Sequence, residues 1–381
     1  MPHCTLKERN VKDTKDSAET LSFKTRLKRA GFRLKMIKDR TIKFLRCLFN
    51  TPSPIPVEAQ IEITNKCNFT CPMCPREIMD VPSINMDFGL FKEVVKKLSA
   101  PPLPPLQKGG QKGVKDFILT GWGEPLLHPD FFEMVDFISF INPDARIRFT
   151  TNGSLLNKDI RKRILNSKVE QVSISIDGLN GDGATGEGHS ESKRIIENVT
   201  ALAGERNSNP PTPPFKKGGQ GGFTPSIVFQ STIHSNNLEG LKKLIDIGGK
   251  IGIDRMNLVR LDVRKTVSLR RPSIEDEGRI FGKLKKTGKA SGLPVFFINQ
   301  QGMLLQMAGH FDRLCFRTVD HVYVNVKGDV TPCCNLRKMK MGNLLKDDIE
   351  EIWQGKIFKK FRANQLKVCK GCDALKRKHH H

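Results

Sequence analysis

Long apolar runs are missing from this chain of 381 residues. No stretch approaches the roughly 18 apolar residues of a helical membrane span, which excludes a helical integral membrane protein. The opening MPHCTLKERN lacks an apolar segment of the kind a secretory signal needs, so a cytoplasmic location is expected. Large polar aromatics are scarce, with two Trp and one Tyr. That leaves little for base stacking and counts against a nucleic-acid reader. Acidic residues run short, 40 Asp and Glu against 64 Lys and Arg, for a formal charge of +24. Such a charge permits an anionic partner but does not bear on fold.

What is present describes a globular chain. Hydrophobic residues make up 38% and charged residues 27%, and at roughly 150 residues per domain the length allows two or three domains. The first fifty residues hold 14 Lys and Arg against 5 Asp and Glu. Phe23, Leu27, Ala30, Leu34, Ile37, Phe44 and Leu48 fall there near helical spacing, which predicts a basic amphipathic extension over 1–50. It either docks on the main domain or meets an anionic surface. Residues 379–381 read as a tag remnant. Pro101–Val114 and Pro210–Phe223 share nine of fourteen positions. Their Pro-Pro and Gly-Gly pairs predict loops, and two short copies do not make a solenoid. We read them as surface inserts.

Between these features, strand and helix patterns alternate. Strands are predicted at Val57–Thr64, Asp116–Thr120, Arg146–Thr151, Val169–Ile176, Ile227–Ile233 and Ile253–Val259. Helices are predicted at Phe88–Leu98 after Asp87, Phe131–Ile141 after Asp130, Lys158–Leu165 after Asn157, Lys193–Ala203 and Leu238–Ile247. Glu133 stands at a capping-box spacing from Asp130. Such alternation implies a parallel sheet or barrel. Yet the strands alternate in polarity, as in Val172, Ile174 and Ile176 against Gln171, Ser173, Ser175 and Asp177. A sheet covered on both faces would be apolar throughout. The polar face implies either a partly open barrel around a polar ligand or one solvated face.

Directly after the first strand stands Cys67-Asn-Phe-Thr-Cys71-Pro-Met-Cys74. Clustered thiols in a chain that is not exported point to metal or catalysis rather than disulfides. Structural zinc closes its shell with four ligands, and three thiolates instead suit an iron–sulfur cluster with one open iron. Gly121-Trp122-Gly123-Glu124-Pro125 follows the second strand, Thr151-Asn152-Gly153 the third, and Ser173-Ile-Ser175-Ile-Asp177-Gly178 the fourth.

Taken together, these elements resemble the radical S-adenosylmethionine enzymes over roughly residues 57–259. The resemblance implies a partial (β/α)6 parallel barrel of α/β class over 51–260, with a [4Fe–4S] cluster on Cys67, Cys71 and Cys74. Met73 would pack near the adenine. Gly121, Trp122, Gly123 and Glu124 match the family's GGEP element, with Trp122 in place of its second glycine, and Glu124 would meet the methionine ammonium. Ser175 and Asp177 would face carboxylate and ribose, and Asn152 is a further contact or simply a turn residue. The implied chemistry is reductive cleavage of S-adenosylmethionine to a 5′-deoxyadenosyl radical that takes hydrogen from a substrate. An external one-electron donor of flavodoxin or ferredoxin type is implied as partner.

Beyond a connecting segment at 261–311, Cys315, Cys333, Cys334, Cys369 and Cys372 gather in 312–378. Val322–Val326 and Val330, around Gly328-Asp329, predict a hairpin that places Cys333 at its end. This region resembles a SPASM/twitch domain, a small α+β unit housing auxiliary clusters. No cysteine follows Cys372, so one auxiliary [4Fe–4S] cluster is implied, on Cys315, Cys333, Cys369 and Cys372. Cys334 is spare or takes the place of Cys333. Four thiolates also satisfy zinc, which stays open here.

The leading reading is therefore an oxidoreductase or maturase acting on a peptide, a protein side chain or a small metabolite. A non-catalytic, basic metal module that binds nucleic acid is the alternative. A two-cluster electron carrier would leave the GWGEP and SISIDG elements without a use.

Overall fold

In the computed structural model, the structure describes residues 41–42, 45–46, 49, 51–74, 76, 83–99, 113–178, 189–208, 224–261, 269–297, 315, 317–369 and 372. Most of the basic N-terminal extension and nearly all of both repeat inserts lie outside the described residues.

Six strands and five helices alternate as the pattern predicts. They are β1 (Glu58–Ile61), α1 (Phe88–Ser99), β2 (Asp116–Ile118), α2 (Phe131–Ile141), β3 (Arg146–Thr151), α3 (Lys158–Asn166), β4 (Val169–Ser175), α4 (His189–Ser208), β5 (Ser226–Ile233), α5 (Leu238–Ile251) and β6 (Arg255–Arg260). Consecutive strands pair in parallel from β1 to β6. The alternating burial of β1, β3 and β6 turns Ala59, Ile61, Ile147, Phe149, Met256 and Leu258 onto the helical layer. Against them α1 lays Phe91, Val94, Val95 and Leu98, fully buried. Helices on one face therefore free the other face for polar residues.

That polar face is bonded across strands. Glu58 of β1 accepts from Arg148 of β3 at 2.7 Å and pairs with His321 Nδ1 at 2.8 Å. Asp116 of β2 pairs with Arg146 of β3, and Arg255 of β6 donates to Gln171 of β4. The sheet is cross-linked at the N-terminal ends of its strands.

Helix caps separate the expected from the observed. Asp87 accepts from Leu90 N at 2.9 Å, and Asn157 accepts from Ile160 N at 2.9 Å. Asn157→Ala should lower stability by about 1 kcal/mol, measured by urea denaturation; an unchanged midpoint would show that water replaces the cap without loss. The capping box predicted at Asp130 does not form. Asp130 makes no side-chain cap bond, and Glu133 instead reaches Arg163 on α3 at 2.8 Å. The Asp130 amide that the box would use instead donates to His128 Nδ1 at 3.1 Å.

The segment 261–311 carries more structure than a connection. Helix α6 (Ile274–Ala290) starts at Ser273, whose hydroxyl accepts from Asp276 N at 3.0 Å, and β7 (Val295–Phe297) pairs in parallel with β6. Arg260 and Glu277, both buried, form a bidentate ion pair that ties the end of β6 to the first turn of α6.

The cysteine-rich C-terminal region continues the same sheet. After α7 (Arg317–Asp320), β8 (His321–Val324) pairs in parallel with β1, and β9 (Asp329–Thr331) returns antiparallel to β8. This is the predicted hairpin, with Gly328 at φ 78° in its turn. β10 (Gly342–Asn343) completes the sheet order β10-β9-β8-β1-β2-β3-β4-β5-β6-β7. Helices α8 (Ile349–Gln354), α9 (Lys356–Ala363) and α10 (Gln365–Val368) follow. Trp353 of α8 is fully buried and donates to Ser53 O at 2.7 Å. Arg362 of α9 stacks 4.1 Å from the Trp353 ring and donates to Thr318 O at 2.9 Å. Burial pulls its pKa down to about 10. The C-terminal helices are thus clamped to the chain on either side of the β1–β8 seam.

Candidate active site and cysteine centres

The loop after β1 brings its three cysteines close together. Cys67, Cys71 and Cys74 are free and half-buried. The Cys74 amide donates to Cys71 O at 2.9 Å, which folds the turn that holds half-buried Met73. Phe69 N lies 3.5 Å from Cys67 Sγ, and Arg76 donates to Cys67 O and Phe69 O at 3.3 and 3.2 Å. Burial, joined by the charges of Cys74 and Cys67, pushes the Cys71 thiol up to about 12. Burial also raises Cys67, against the pull of the Phe69 amide. Left alone, this loop resists thiolates at Cys67 and Cys71, and a cationic centre would reverse that. Among the described residues no three Cys, His, Asp or Glu side chains converge on a single ion. A cubane asks for no such convergence, because each thiolate meets its own iron. The donor set therefore fits an iron–sulfur cluster.

The GWGEP loop presses against this one. A side chain on Gly123 would lie 2.4 Å from Lys66 O and 2.6 Å from Thr64 O, and one on Gly121 would lie 2.2 Å from Glu62 Cγ. Only glycine permits that approach. Glu124 N donates to Lys66 O at 2.7 Å. The Glu124 carboxylate is buried and accepts from Asn152 N at 2.7 Å and Leu126 N at 3.1 Å. Burial lifts its pKa to about 7 despite these bonds and one to Thr151.

Asn152 and Gly153 form the turn after β3, with Gly153 at φ 79°. Asn152 also donates to Asn68 at 2.9 Å, and Asn68 donates to Ser154 at 2.9 Å. So Asn152 serves as a turn residue and ties that turn to the cysteine loop. Ser175 is half-buried at the end of β4. Asp177 is buried, accepts from Thr232 N, and receives Asn237 Nδ2 on its carbonyl at 2.8 Å. Burial lifts its pKa to about 7, and its charge reaches Cys71. The ends of β1 to β4 thus converge, and the predicted residues share one mouth of the sheet.

Sequence reasoning missed Glu62, Asn65, Asn68, Arg76 and Arg337. Glu62 is fully buried, and its Oε2 lacks a hydrogen-bond partner. Asn65 is buried with both amide atoms unpartnered. Buried orphan atoms of this kind call for a ligand or water. Glu62, one residue past β1, continues the side of Glu58 and Gln60, and nothing local marks its partner Arg337.

A second cleft lies beside β9. Cys315, Cys333, Cys369 and Cys372 line it, with Leu336 and Phe361 as apolar wall. Burial, then the neighbouring Cys334, pushes Cys333 up to about 12, and burial raises Cys315. Cys334 does not line the cleft; its Sγ lies 3.7 Å from Arg317 Nη1 and 3.8 Å from Asn335 Oδ1. Four thiols around one largely apolar cleft fit an iron–sulfur cluster and also suit zinc.

Comparison with known proteins agrees with this geometry. Residues 61–208 match the radical SAM superfamily, and residues 315–373 match SPASM, an iron–sulfur cluster-binding domain. The AdoMet-dependent heme synthase of Methanosarcina barkeri is 24% identical, over 82% of this chain and 90% of its own length. The GTP 3′,8-cyclase of Microcystis aeruginosa is 31% identical over 123 residues, where the match spans 32% of this chain and 35% of the cyclase. SuiB of Streptococcus suis bound to S-adenosylmethionine shares the fold at a TM-score of 0.62 and 13% identity, covering 90% of this chain and 76% of SuiB. Its form bound to the precursor peptide SuiA matches at the same TM-score. A radical SAM domain carries a [4Fe–4S] cluster and S-adenosylmethionine, and a SPASM domain carries auxiliary iron–sulfur. With its cysteine loop and GWGEP loop in register at the mouth of a parallel sheet, the chain carries a radical S-adenosylmethionine domain over residues 61–208 and a SPASM region over residues 315–373.

Proposed function

We propose that this chain is a radical S-adenosylmethionine maturase or oxidoreductase that takes a hydrogen atom from a peptide or protein side chain. The observation that carries the reading is the packing of the cysteine loop, the GWGEP loop and the Asn152 turn on one another, through Glu124 N to Lys66 O, Asn152 N to Glu124 and Asn152 to Asn68. When bound, the reduced cluster and S-adenosylmethionine supply a 5′-deoxyadenosyl radical. Cys67, Cys71 and Cys74 would hold the cluster, and Gly121 to Glu124 would bind the methionine end of S-adenosylmethionine. Glu124, already lifted toward neutrality, ionises when an ammonium arrives and then pairs with it. Asp177 and Ser175 bound the site from β4, and Met73 and Asn152 from the loops. Cys315, Cys333, Cys369 and Cys372 hold the auxiliary cluster; Cys334, outside their cleft, is the spare. The peptide class is supported by the fold shared with peptide-bound SuiB; a small metabolite is the other outcome the test can return.

Protein purified without oxygen, reconstituted with iron and sulfide and reduced chemically, or through a flavodoxin or ferredoxin, should convert S-adenosylmethionine to 5′-deoxyadenosine. Adding candidate peptides or metabolites should raise that rate for the true substrate class. A protein that binds zinc alone and forms no 5′-deoxyadenosine with any of them would sink the reading. Among the described residues no helix is long and apolar enough to cross a membrane. A cytoplasmic site of action, with an anionic-surface contact through the basic N-terminal extension, completes the proposal.

A further inference from the structure

Glu62, at the end of β1, joins parts of the chain that are far apart in sequence. Its Oε1 accepts from the backbone amide of Trp122 at 3.2 Å and from Arg337. Arg337 also donates to the hydroxyl of Tyr323 at 3.1 Å. Tyr323 is fully buried on β8, beside β1. Gly121 leaves no room for a side chain against Glu62, so this carboxylate is wedged beneath the GWGEP loop. Arg337 closes the turn that starts at Cys333, where Leu336 N donates to Cys333 O at 3.1 Å. An unbroken chain of contacts therefore runs from the Cys333 turn through Arg337 and Glu62 to the Trp122 amide.

We propose that Glu62 and Arg337 are positioning residues, a strut by which the C-terminal cysteine centre sets the GWGEP loop for S-adenosylmethionine; this rests on the function proposed above. Among the described residues this buried carboxylate meets one guanidinium, the Trp122 amide and the Tyr323 hydroxyl, so a shift of the Cys333 turn passes to the loop rather than dissipating. The bidentate-capable, always-charged guanidinium suits that task better than an ammonium. The other face of the loop is held by Lys66 O, so displacement at Glu62 tilts Gly121 and Trp122 against a fixed Gly123 and Glu124.

The test uses full-length protein, reconstituted without oxygen and left unreduced. S-adenosylmethionine affinity is measured by equilibrium dialysis, alongside iron content and thermal unfolding. After brief reduction, the cluster's electron paramagnetic resonance spectrum is recorded with and without S-adenosylmethionine. Arg337→Met and the near-isosteric Glu62→Gln should each weaken binding by roughly 5- to 150-fold, the range of an ordinary coupling between sites. Arg337→Lys should recover part of the loss. Cys369→Ala/Cys372→Ala should weaken binding in the wild-type background but add nothing to Arg337→Met, and both should reduce in the same way the spectral change that S-adenosylmethionine produces. Wild-type affinity in Glu62→Gln with its iron retained would overturn the strut. So would losses that simply multiply in the combined variant, or a lowered unfolding temperature with unchanged affinity. If wild type itself binds no S-adenosylmethionine, the functional reading fails, and the strut with it.

Discussion

Replacing Cys67, Cys71 and Cys74 together by alanine should reduce 5′-deoxyadenosine formation by ~10³-fold or more, to reagent background, because the difficult chemistry resides in the cofactor. The three thiols are half-buried in one loop, and each of Cys67 and Cys71 feels the charge of Cys74. Burial keeps Cys67 and Cys71 protonated in the metal-free protein, so alanine there removes no ion pair and the metal-free fold should survive. Iron counted in the triple variant then reports on Cys315, Cys333, Cys369 and Cys372 alone. About four irons left would support an auxiliary cluster, and one zinc without iron would assign that centre to zinc. Activity that persists in the triple variant would overturn the assignment of the cluster loop.

The second large effect is on stability against pH. Glu124 and Asp177 are both lifted to about 7 by burial, from ordinary values of 4.5 and 3.8. Between those limits the folded chain holds protons that the unfolded chain has released. Stability is therefore highest below about pH 4 on this account, falls as pH rises toward 7, and levels off above it. Each group contributes on the order of 3–4 kcal/mol across that window. His321 works the other way: burial holds it below 6.5, so its contribution is present above that value and lost as pH falls through its folded pKa. Carboxylates held low, such as Asp329, lose their contribution only at the acid end. The clean measurement is a difference. Urea unfolding of metal-free wild type should lose stability from pH 5 to pH 8 relative to Glu124→Gln/Asp177→Asn. Parallel profiles for the two proteins would show that neither carboxyl is protonated in the folded chain.

Much of this was legible along the chain. Strand β3 and helix α2 lie where their patterns place them, because apolar alternation and helical spacing are local properties. The three cluster cysteines lie within eight residues, so their proximity needed no fold to be inferred. Glu124 and Asp177 could be read as motif members, but not their engagement with Asn152 N and Thr232 N, which depends on how neighbouring strands align. Helix α6 and strand β7 escaped notice because their segment is charged and its strand is only three residues long. The Asp130 capping box failed because His128, two residues earlier, takes the Asp130 amide and Glu133 turns to Arg163 of the next helix.

The sequence by itself determined the alternating α/β layout, the ligand loop and the two separate groups of cysteines. Only the tertiary structure decided that the C-terminal region completes the edge of the same sheet at β1, and that Cys333 rather than Cys334 lines the second cleft. It alone decided that Arg337 meets Glu62 across 275 residues of chain. Spacing and periodicity are written in neighbouring residues, whereas the choice of strand beside β1 depends on which distant segment buries its apolar face and pairs its backbone there.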